Sequence, residues 1–448
     1  MTDLAQPLAA HAAHFPAHRV DASVREHLAL DLVDGLAAII GGTRAQGVSE
    51  LAAVLSAQST SGAAQRVASH DRYPAIVAAQ LNATAGHALD YDDTLDEGGG
   101  MHAGALVHSA ALAVADELGG VRGEVFVAAV AVGLDIAVRL ALAPTRDFGW
   151  HRTSAFGIFG AVGAVGRLLG LDQTQFVNAF GIAYSQASGN RQCVADGALS
   201  KRLQPGFAAR DAILAVQLAK AGVTGAARVF EGVDGFFPLY QRGEYERERV
   251  TNALGERLLS NRISLKPYPC GRNLHGWLDA SARARIVHAG RTIERIDVYL
   301  DAKSFARASQ TWPEHVVAAQ FNIPFAVALS TGSGRTPLAD FDAPGNVPED
   351  VKALFARVKL QPHEGALRED RIVFRYEGGA AHEERTAGPL LGNPANPVSR
   401  EQTAEKLRDC NAFVGAPLSD ARVDAVLTAA FGIATLPSTT DLTSLLRV

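Results

Sequence analysis

The chain has 448 residues, of which 48% are hydrophobic and 20% charged, and 42 Lys and Arg against 47 Asp and Glu give a net charge of −5. So small a charge excludes the basic surface of a nucleic-acid-binding protein, and the length allows two or three domains with a large core. Three cysteines, far apart and odd in number, predict no disulfide framework and a reducing, cytoplasmic location. The longest apolar run, 125–143, contains Asp135 and Arg139, so we expect no membrane span, and the first residues lack the basic start of a signal peptide.

The first two-thirds of the chain shows the apolar period of consecutive helices. In residues 25–40, Leu28, Leu32 and Leu36 share one face, and Gly41-Gly42 predict the end of the helix. Helices of the same kind are predicted over 74–90, 103–118, 122–142, 153–169, 173–187 and 205–221.

One predicted helix repeats glycine at every third position, at 157, 160, 163 and 166. Such a run can be mistaken for a phosphate-binding loop. It lacks the GxGxxG order, and no strand pattern precedes it. Close packing of a buried helix is therefore the preferred interpretation, and phosphate binding is the alternative.

Beyond about residue 265 the apolar period shortens to that of strands. Strands are predicted over 293–300, 356–361, 370–377 and 382–387, with an apolar helix over 313–331. A helix start with Ser399 as N-cap and Gln402 three residues later then begins a helical tail over 400–432. The sequence thus predicts a mainly α protein, in which a large helical domain (1–264, completed by 398–448) accompanies a smaller α/β domain (265–397).

The segment AGHALDYDDTLDEGGGMHAG, residues 85–104, contains the most chemistry. A helix reaching Thr94 would place His87, Asp90 and Thr94 on one face, and the glycines would bring His102 to the start of the next helix. A carboxylate and an imidazole brought together are what proton transfer needs. A solvated acidic turn with a capping histidine explains these residues equally well. A metal site is a third, weaker alternative, because the spacing matches no known ligand motif; its candidates are His87, Asp90, Asp93, His102 and His108.

Two cations come next in the chain, in GALSKRLQPGFAARDAI. Pro205 and Gly206 are expected to open a helix, so that Lys201 and Arg202 lie just before its N-terminus. Cations beside free backbone N–H groups make a good receptor for a carboxylate. A solvated surface pair is the more common outcome for two such neighbours.

Two further windows carry histidines and cations. In LKPYPCGRNLHGWLDA, prolines stiffen the loop between Lys266 and the pair Arg272 and His275, which suits cations held in place for a ligand. In GWHRTSAFG, His151 precedes a helix, where capping and catalysis are equally plausible roles.

Together these windows resemble the MmgE/PrpD family, which includes 2-methylcitrate dehydratase, cis-aconitate decarboxylase and iminodisuccinate epimerase. The matching strings are NATAGHALDYDDT, MHAG, GWHRTSAFGIFGA, LSKRLQPGFAAR, KPYPCGRNLH, AAQFNIPFAVA and GNPANPVSRE, and they spread over nearly the whole chain. The resemblance implies a large helical domain and a smaller α/β lid, usually as a homodimer. It also implies an active site in the cleft between the domains that needs no metal or cofactor.

Carried over residue by residue, the resemblance implies six active-site positions: Asp90, Thr94, His102, His151, Lys201 and Lys266. This sequence also departs from the family pattern. Ala103 follows His102 where a proline is common, Gln204 replaces a histidine, and Phe325 replaces a tyrosine.

The family's reactions share the problem of stabilising a carbanion or enediolate beside a carboxylate, which preorganised cations solve. Lys201 and Lys266 suit that role, whereas Arg202, Arg272 and His275 are candidates for binding a second carboxylate. His102 is the leading proton-transfer group. We therefore expect a metal-independent lyase for a small di- or tricarboxylate, first of all a hydro-lyase like 2-methylcitrate dehydratase. A cis-aconitate-type decarboxylase, an iminodisuccinate-type epimerase and a non-catalytic binder of anionic metabolites remain alternatives.

Overall fold

A computed structural model describes residues 2–97, 99–334, 336–364 and 370–448 of the chain. Its internal contacts divide the chain into two compact units. The first unit comprises Met1–Leu265 and Ser399–Val448, and the second comprises Lys266–Val398.

Helices make up most of the first unit, which confirms the prediction of a mainly α fold. Before Leu265 they are α1 (Ala5–His14), α2 (Ala22–Gly42), α3 (Val48–Gln58), α4 (Ala75–Gly86), α5 (Gly104–Glu117), α6 (Gly123–Leu142), α7 (Arg152–Leu168), α8 (Gln173–Tyr184), α9 (Gln192–Ala195), α10 (Ser200–Lys220), α11 (Phe236–Gln241) and α12 (Arg247–Thr251). Two short strands, β1 (Ala64–Gln65) and β2 (Arg72–Tyr73), pair antiparallel.

Helix α6 lies at the centre of the first unit. Within the described residues it is the one helix long and apolar enough to cross a membrane, but 94% of its apolar window is buried in the protein. Asp135 and Arg139, the charged residues inside its apolar run, form an ion pair, with Arg139 Nε 2.8 Å from Asp135 Oδ2. His11 of α1 contacts the same carboxylate at 2.9 Å. These features are those of a buried core helix.

Two glycines of the α7 repeat, Gly160 and Gly163, pack against α6, which confirms the packing interpretation. A Cβ on Gly160 would lie 2.7 Å from both the Ala137 Cβ and the Gly133 carbonyl oxygen. One on Gly163 would lie 2.8 Å from Ile136 Cδ1. Glycine is therefore required for the close approach of the two backbones.

One predicted helix end is confirmed and another is wrong. As expected, α2 ends at Gly41-Gly42: Gly42 is its last residue, and a Cβ there would lie 1.9 Å from the Ala85 carbonyl oxygen of α4. Helix α4 ends at Gly86, not near Thr94, and Asp90 adopts a left-handed φ of 53° that no helix can continue through. The predicted helical face of His87, Asp90 and Thr94 therefore does not exist.

The predicted start of α10 is also wrong, because the helix begins at Ser200 and contains Pro205. Pro205 cannot donate a hydrogen bond to the preceding turn. The packing of α10 on α4 explains why the helix forms nonetheless: a Cβ on Gly206 would lie 2.1 Å from Thr84 Oγ1. Lys201 and Arg202 consequently lie in the first turn of α10 and not before it.

The second unit contains a four-stranded mixed sheet with helices. Its strands are β3 (Ile293–Asp301), β4 (Val358–His363), β5 (Arg371–Tyr376) and β6 (Ala381–Arg385), in the order β4-β3-β5-β6. β3 pairs parallel with β4 and antiparallel with β5, which pairs antiparallel with β6. The helices are α13 (His275–His288), α14 (Ala302–Phe305), α15 (Val316–Ala319), α16 (Ile323–Ser333), α17 (Leu338–Asp342) and α18 (Glu349–Arg357). The four strands expected from the sequence are present with bounds shifted by at most two residues, whereas α18 was not expected.

The helix predicted over 313–331 is wrong as a single element, because α15 and α16 are separate. Asn322 caps α16 through its Oδ1, which accepts from Phe325 N at 2.9 Å, and a proline lies in the first turn. Phe325 itself is fully buried and packs edge-on against Trp312 and Phe341. The departure from the family tyrosine at this position therefore fills the core of the second unit.

The chain then returns to the first unit as α19 (Arg400–Phe413), α20 (Asp420–Phe431) and α21 (Thr440–Thr443). The predicted capping box is confirmed: Ser399 Oγ accepts from Gln402 N at 3.2 Å, and Gln402 Oε1 accepts from Ser399 N at 2.9 Å. Helix α19 packs against α2.

Candidate active site

The loop after α4 brings a carboxylate to the first turn of α10. Asp90, in its left-handed conformation, places Oδ2 3.1 Å from the Lys201 Nζ. The lysine side chain is 22% exposed, so Lys201 is anchored by a carboxylate and its side chain keeps some contact with solvent. The alternative of a solvated surface pair is therefore wrong for Lys201.

Three histidines surround a second carboxylate of the same loop. Asp92 is fully buried, with Oδ2 2.7 Å from His87 Nδ1 and Oδ1 3.8 Å from His102 Nδ1. The ring centroid of His87 lies 5.1 Å from that of His102 and 5.2 Å from that of His151. His102 and His151, which were predicted as site residues, thus lie in one cluster with His87 and Asp92.

The hydrogen bonding of His102 determines which ring nitrogen carries its proton. Nδ1 lies 2.5 Å from the carbonyl oxygen of Asp93, and a carbonyl only accepts. Nδ1 is therefore protonated, which leaves Nε2 as the atom that takes up or gives away a proton. The backbone N–H of His102 donates to Thr153 Oγ1 at 3.1 Å and fixes this residue further.

Asp93 holds the start of helix α5. Its carboxylate accepts from the backbone N–H groups of Ala103 at 3.1 Å and Gly104 at 3.0 Å. Burial, together with the negative charges of Asp31 and Asp92, raises the pKa of Asp93 well above its usual value. The Asp93 carboxylate is therefore a buried group that caps a helix.

The rest of the acidic turn fits the solvated alternative only in part. Asp96 and Glu97 are exposed, while Asp90, Asp92 and Asp93 are buried. Beyond them Gly99 and Gly100 adopt positive φ values, whereas Gly98 lies outside the described residues. The buried members are those that contact the histidines and Lys201.

His151 is kept neutral by its surroundings. It precedes α7, but its side chain makes no capping hydrogen bond to the helix, so the capping alternative is wrong. Burial, followed by the positive charges of His87, Lys201 and His102, lowers its pKa well below 6.5. The neutral imidazole of His151 therefore lies beside His87, whose own imidazole contacts the Asp92 carboxylate.

Gln204, which replaces a family histidine, fastens the loop next to His151. Its Oε1 accepts from Asn190 N at 2.9 Å, and its Nε2 donates to Asn190 O at 3.1 Å and lies 3.0 Å from Cys193 Sγ. The neighbouring Gly189 carbonyl accepts from His151 N at 3.2 Å. The replacement thus supports the backbone at His151.

Thr94 and Arg202 differ in how far their polar groups are already engaged. Thr94 exchanges two backbone hydrogen bonds of 2.7 Å with Ser264, and its buried Oγ1 has no hydrogen-bond partner in the described part of the chain. Arg202 donates from Nη1 to the Gln46 carbonyl at 2.6 Å, and burial lowers its pKa. The threonine hydroxyl is the one better disposed to a ligand.

Lys266, Arg272 and His275 belong to the second unit. Lys266 and His275 are fully buried, and Arg272 Nη1 lies 3.2 Å from His275 Nδ1 and donates to the Leu391 carbonyl at 2.8 Å. Arg272 also lines a cavity of about 650 Å³ within that unit, together with Arg307. The roles of these three residues in the reaction stay predictions.

The metal alternative named five candidate ligands, and three of them are engaged elsewhere. Asp90 contacts Lys201, Asp93 caps α5, and His108 Nε2 lies 2.8 Å from Asp31 Oδ2. The other two, His87 and His102, offer ligand atoms that lie together with one from Asp92 within 4.8 Å of one another. A cation there would have to replace the hydrogen bonds from His87 to Asp92 and from His102 to the Asp93 carbonyl, so the arrangement fits proton transfer better.

The sequence interpretation missed the part played by His87 and Asp92. Both belong to the segment that it singled out, but the helix expected to reach Thr94 separated them onto different faces. The signal that could have found the pair is the run Ala88 to Asp93, where three closely spaced acidic residues follow the histidine and disfavour a continuing helix.

Comparison with known proteins identifies the family of the chain. Residues 6–248 match the MmgE/PrpD N-terminal domain, and residues 268–430 match the MmgE/PrpD C-terminal domain. The cis-aconitate decarboxylase-like protein oryM of Aspergillus oryzae is 27% identical over 414 residues, covering 84% of each chain. The cis-aconitate decarboxylase of Aspergillus terreus is 23% identical over 461 residues, or 96% of this chain and 92% of the relative. The human cis-aconitate decarboxylase is 26% identical over 358 residues, or 75% and 73%. The chain belongs to the MmgE/PrpD family, and it is an enzyme of the lyase class.

Proposed function

We propose that this enzyme is a metal- and cofactor-independent lyase for a small di- or tricarboxylate, and that its first candidate reaction is decarboxylation of a cis-aconitate-like acid. The observation that carries the proposal is the position of His102 beside Asp92. Asp90, on the same loop, forms an ion pair with the partly exposed Lys201. The names of the relatives, at 23–27% identity, support the choice of decarboxylation.

Lys201 supplies positive charge where negative charge develops. Its ammonium is held by Asp90 and its side chain is partly exposed, so we expect a substrate carboxylate to reach it while the ion pair with Asp90 stays intact. Such a preorganised charge is worth more in a partly buried site than in water. The unpartnered hydroxyl of Thr94 is a second group for a carboxylate oxygen.

His102 supplies the proton in the proposed decarboxylation. The C–C bond to the departing carboxylate breaks and CO₂ leaves. The electron pair of that bond stays on the remaining carbon and is delocalised into the conjugated carboxylate. The imidazolium of His102 then gives its Nε2 proton to carbon and recovers one from water. Asp92, 3.8 Å from Nδ1, stabilises the imidazolium before the transfer.

Dehydration, as catalysed by 2-methylcitrate dehydratase, is the second candidate reaction. The lowered pKa of His151 is the observation that favours it. Dehydration needs a base for the proton next to a carboxylate and an acid for the leaving hydroxyl. A neutral His151 and a carboxylate-assisted His102 are two imidazoles whose environments differ in that sense. Epimerisation would use the same two groups on opposite faces of one carbon.

Other parts of the proposal come from the family resemblance. We propose that Lys266, Arg272 and His275 contribute to binding the substrate, that the second unit acts as a lid, that the enzyme is a homodimer, and that it is cytoplasmic. The first of these is tested by the Lys266→Met variant, for which we expect a raised KM for the carboxylate. Light scattering of the purified protein tests the dimer.

The experiment is a screen of cis-aconitate, methylcitrate and iminodisuccinate by proton NMR in deuterated water. Decarboxylation gives a product with deuterium on carbon, dehydration gives an alkene, and epimerisation exchanges one proton without loss of CO₂ or water. We expect turnover of one acid to fall at least 100-fold in His102→Gln and Lys201→Met. The Lys352→Met variant, which removes an exposed ion pair with Glu349, is the matched control.

Two results would contradict the proposal. Wild-type activity in His102→Gln, on an acid that the enzyme turns over, would exclude His102 as the proton-transfer group. Thermal stabilisation by these acids without turnover of any would favour the non-catalytic binder of anionic metabolites.

A further inference from the structure

Lys406 is a buried lysine of α19, in the part of the chain that returns to the first unit. Its Nζ lies 2.6 Å from Asp34 Oδ1 on α2, and it donates to the carbonyl oxygen of Tyr91 at 2.5 Å. The ammonium also lies 4.0 Å from the centroid of the Tyr91 ring. Its contacts therefore join α2 to the loop that carries Asp90 and Asp92.

Tyr91 separates the two carboxylates on which the candidate site depends. Asp90, before it, has a left-handed φ of 53° and contacts Lys201, and Asp92, after it, contacts His87. A residue other than glycine is strained in this conformation, so the surrounding structure must hold it. The hydrogen bond from Lys406 fixes the peptide group between Tyr91 and Asp92.

The charge of Lys406 also meets an accumulation of buried carboxylates. Asp31, Asp34, Asp92 and Asp93 interact electrostatically with one another. Burial raises the pKa of Asp34 to about 6, although Lys406 acts in the opposite direction. Because a buried ion pair is seldom more stabilising than apolar residues of similar volume, stability alone is a poor reason for this one.

We propose that Lys406 is a positioning residue for the reaction. Its ammonium holds the Tyr91 carbonyl, and it thereby orients Asp90 towards Lys201 and Asp92 towards the histidines. The described contacts of its ammonium are with Asp34 and Tyr91, and it acts on the site through the Tyr91 carbonyl. The inference rests on the proposed function only in so far as turnover is used to measure it.

The test separates positioning from stability with the double variant Asp34→Leu/Lys406→Met, which replaces the buried pair by apolar side chains. We expect a melting temperature equal to or above that of the wild type, kcat lowered 10- to 100-fold and KM within about threefold. Lys406→Arg, which keeps the charge and the N–H donors, should recover part of the lost kcat. Lys220→Met is the matched control, since that lysine also donates to a backbone carbonyl, that of Leu169, at 2.7 Å.

A folded double variant with wild-type kcat would overturn the inference, as would an equal loss of kcat in Lys406→Arg and in the double variant. If the double variant does not fold, Lys406→Gln is measured instead against the same two outcomes. A crystal structure of the variant without substrate gives a reading that does not depend on turnover. There we expect the Tyr91 carbonyl to rotate and the contact between Asp90 and Lys201 to lengthen, and an unchanged loop would contradict the inference. If the wild type turns over none of the acids, the proposed function fails and this structure alone decides about Lys406.

Discussion

Replacing Asp92 by asparagine isolates the electrostatic contribution of this carboxylate to proton transfer. The change keeps the shape of the side chain and an oxygen that accepts from His87 Nδ1, 2.7 Å away, but it removes the negative charge 3.8 Å from His102 Nδ1. At an effective dielectric constant of about 20, two unit charges at that separation attract by about 4 kcal/mol. Part of this is lost to screening, so we expect kcat to fall roughly 10²- to 10³-fold at about 1.4 kcal/mol per factor of ten.

The assay measures kcat and KM on the acid identified by NMR, together with the melting temperature of each variant. Asp116→Asn is the matched control, because Asp116 is also a buried carboxylate that accepts two hydrogen bonds, from Gln65 N and Thr443 Oγ1, near the other end of α5. Its kcat should stay within twofold of the wild type. A folded Asp92→Asn enzyme with the kcat of the control would refute the role given to Asp92.

Three further outcomes follow from the structure. Gly206→Ala should lower the melting temperature by several degrees in a thermal melt, because its Cβ would lie 2.1 Å from Thr84 Oγ1, and an unchanged value would contradict the described packing of α10 on α4. Burial lowers the pKa of His288 from 6.5 to about 4, so the unfolded chain takes up its proton first and stability is lost as pH falls from about 6.5 towards 4. Chemical denaturation should therefore show that, between pH 7 and pH 5, the free energy of unfolding falls by about 1–2 kcal/mol less in His288→Gln than in the wild type, after allowance for the partial exposure of His288. Equal decreases in the two proteins would contradict this. Dialysis against a chelator should leave turnover unchanged, and loss of activity restored by a divalent cation would revive the metal alternative at His87, Asp92 and His102.

Apolar periodicity predicted most elements of the fold because it reports the burial of one face. It could not predict where helices end when the cause lies in another element. Pro205 lies inside α10, where the neighbouring Gly206 packs closely on α4. This is a long-range contact that leaves no local signal in the sequence.

The candidate site was predictable as a set of residue types but not as a geometry. The sequence indicated Asp90, His102 and Lys201 separately, and the structure brings Asp90 to Lys201 through a left-handed residue that no periodicity reveals. It did not indicate Lys406, because a lone lysine on a polar helix reads as a solvated side chain until its partner Asp34, 372 positions away, is known.

The most direct measurement of the central claim is a crystal structure of the inactive His102→Gln variant with the identified acid bound. A carboxylate of the acid should lie within hydrogen-bond distance of the Lys201 Nζ, and its reacting carbon should face the side chain at position 102. An acid bound with full occupancy away from both residues, for example in the second unit's cavity beside Arg272 and Arg307, would contradict the account.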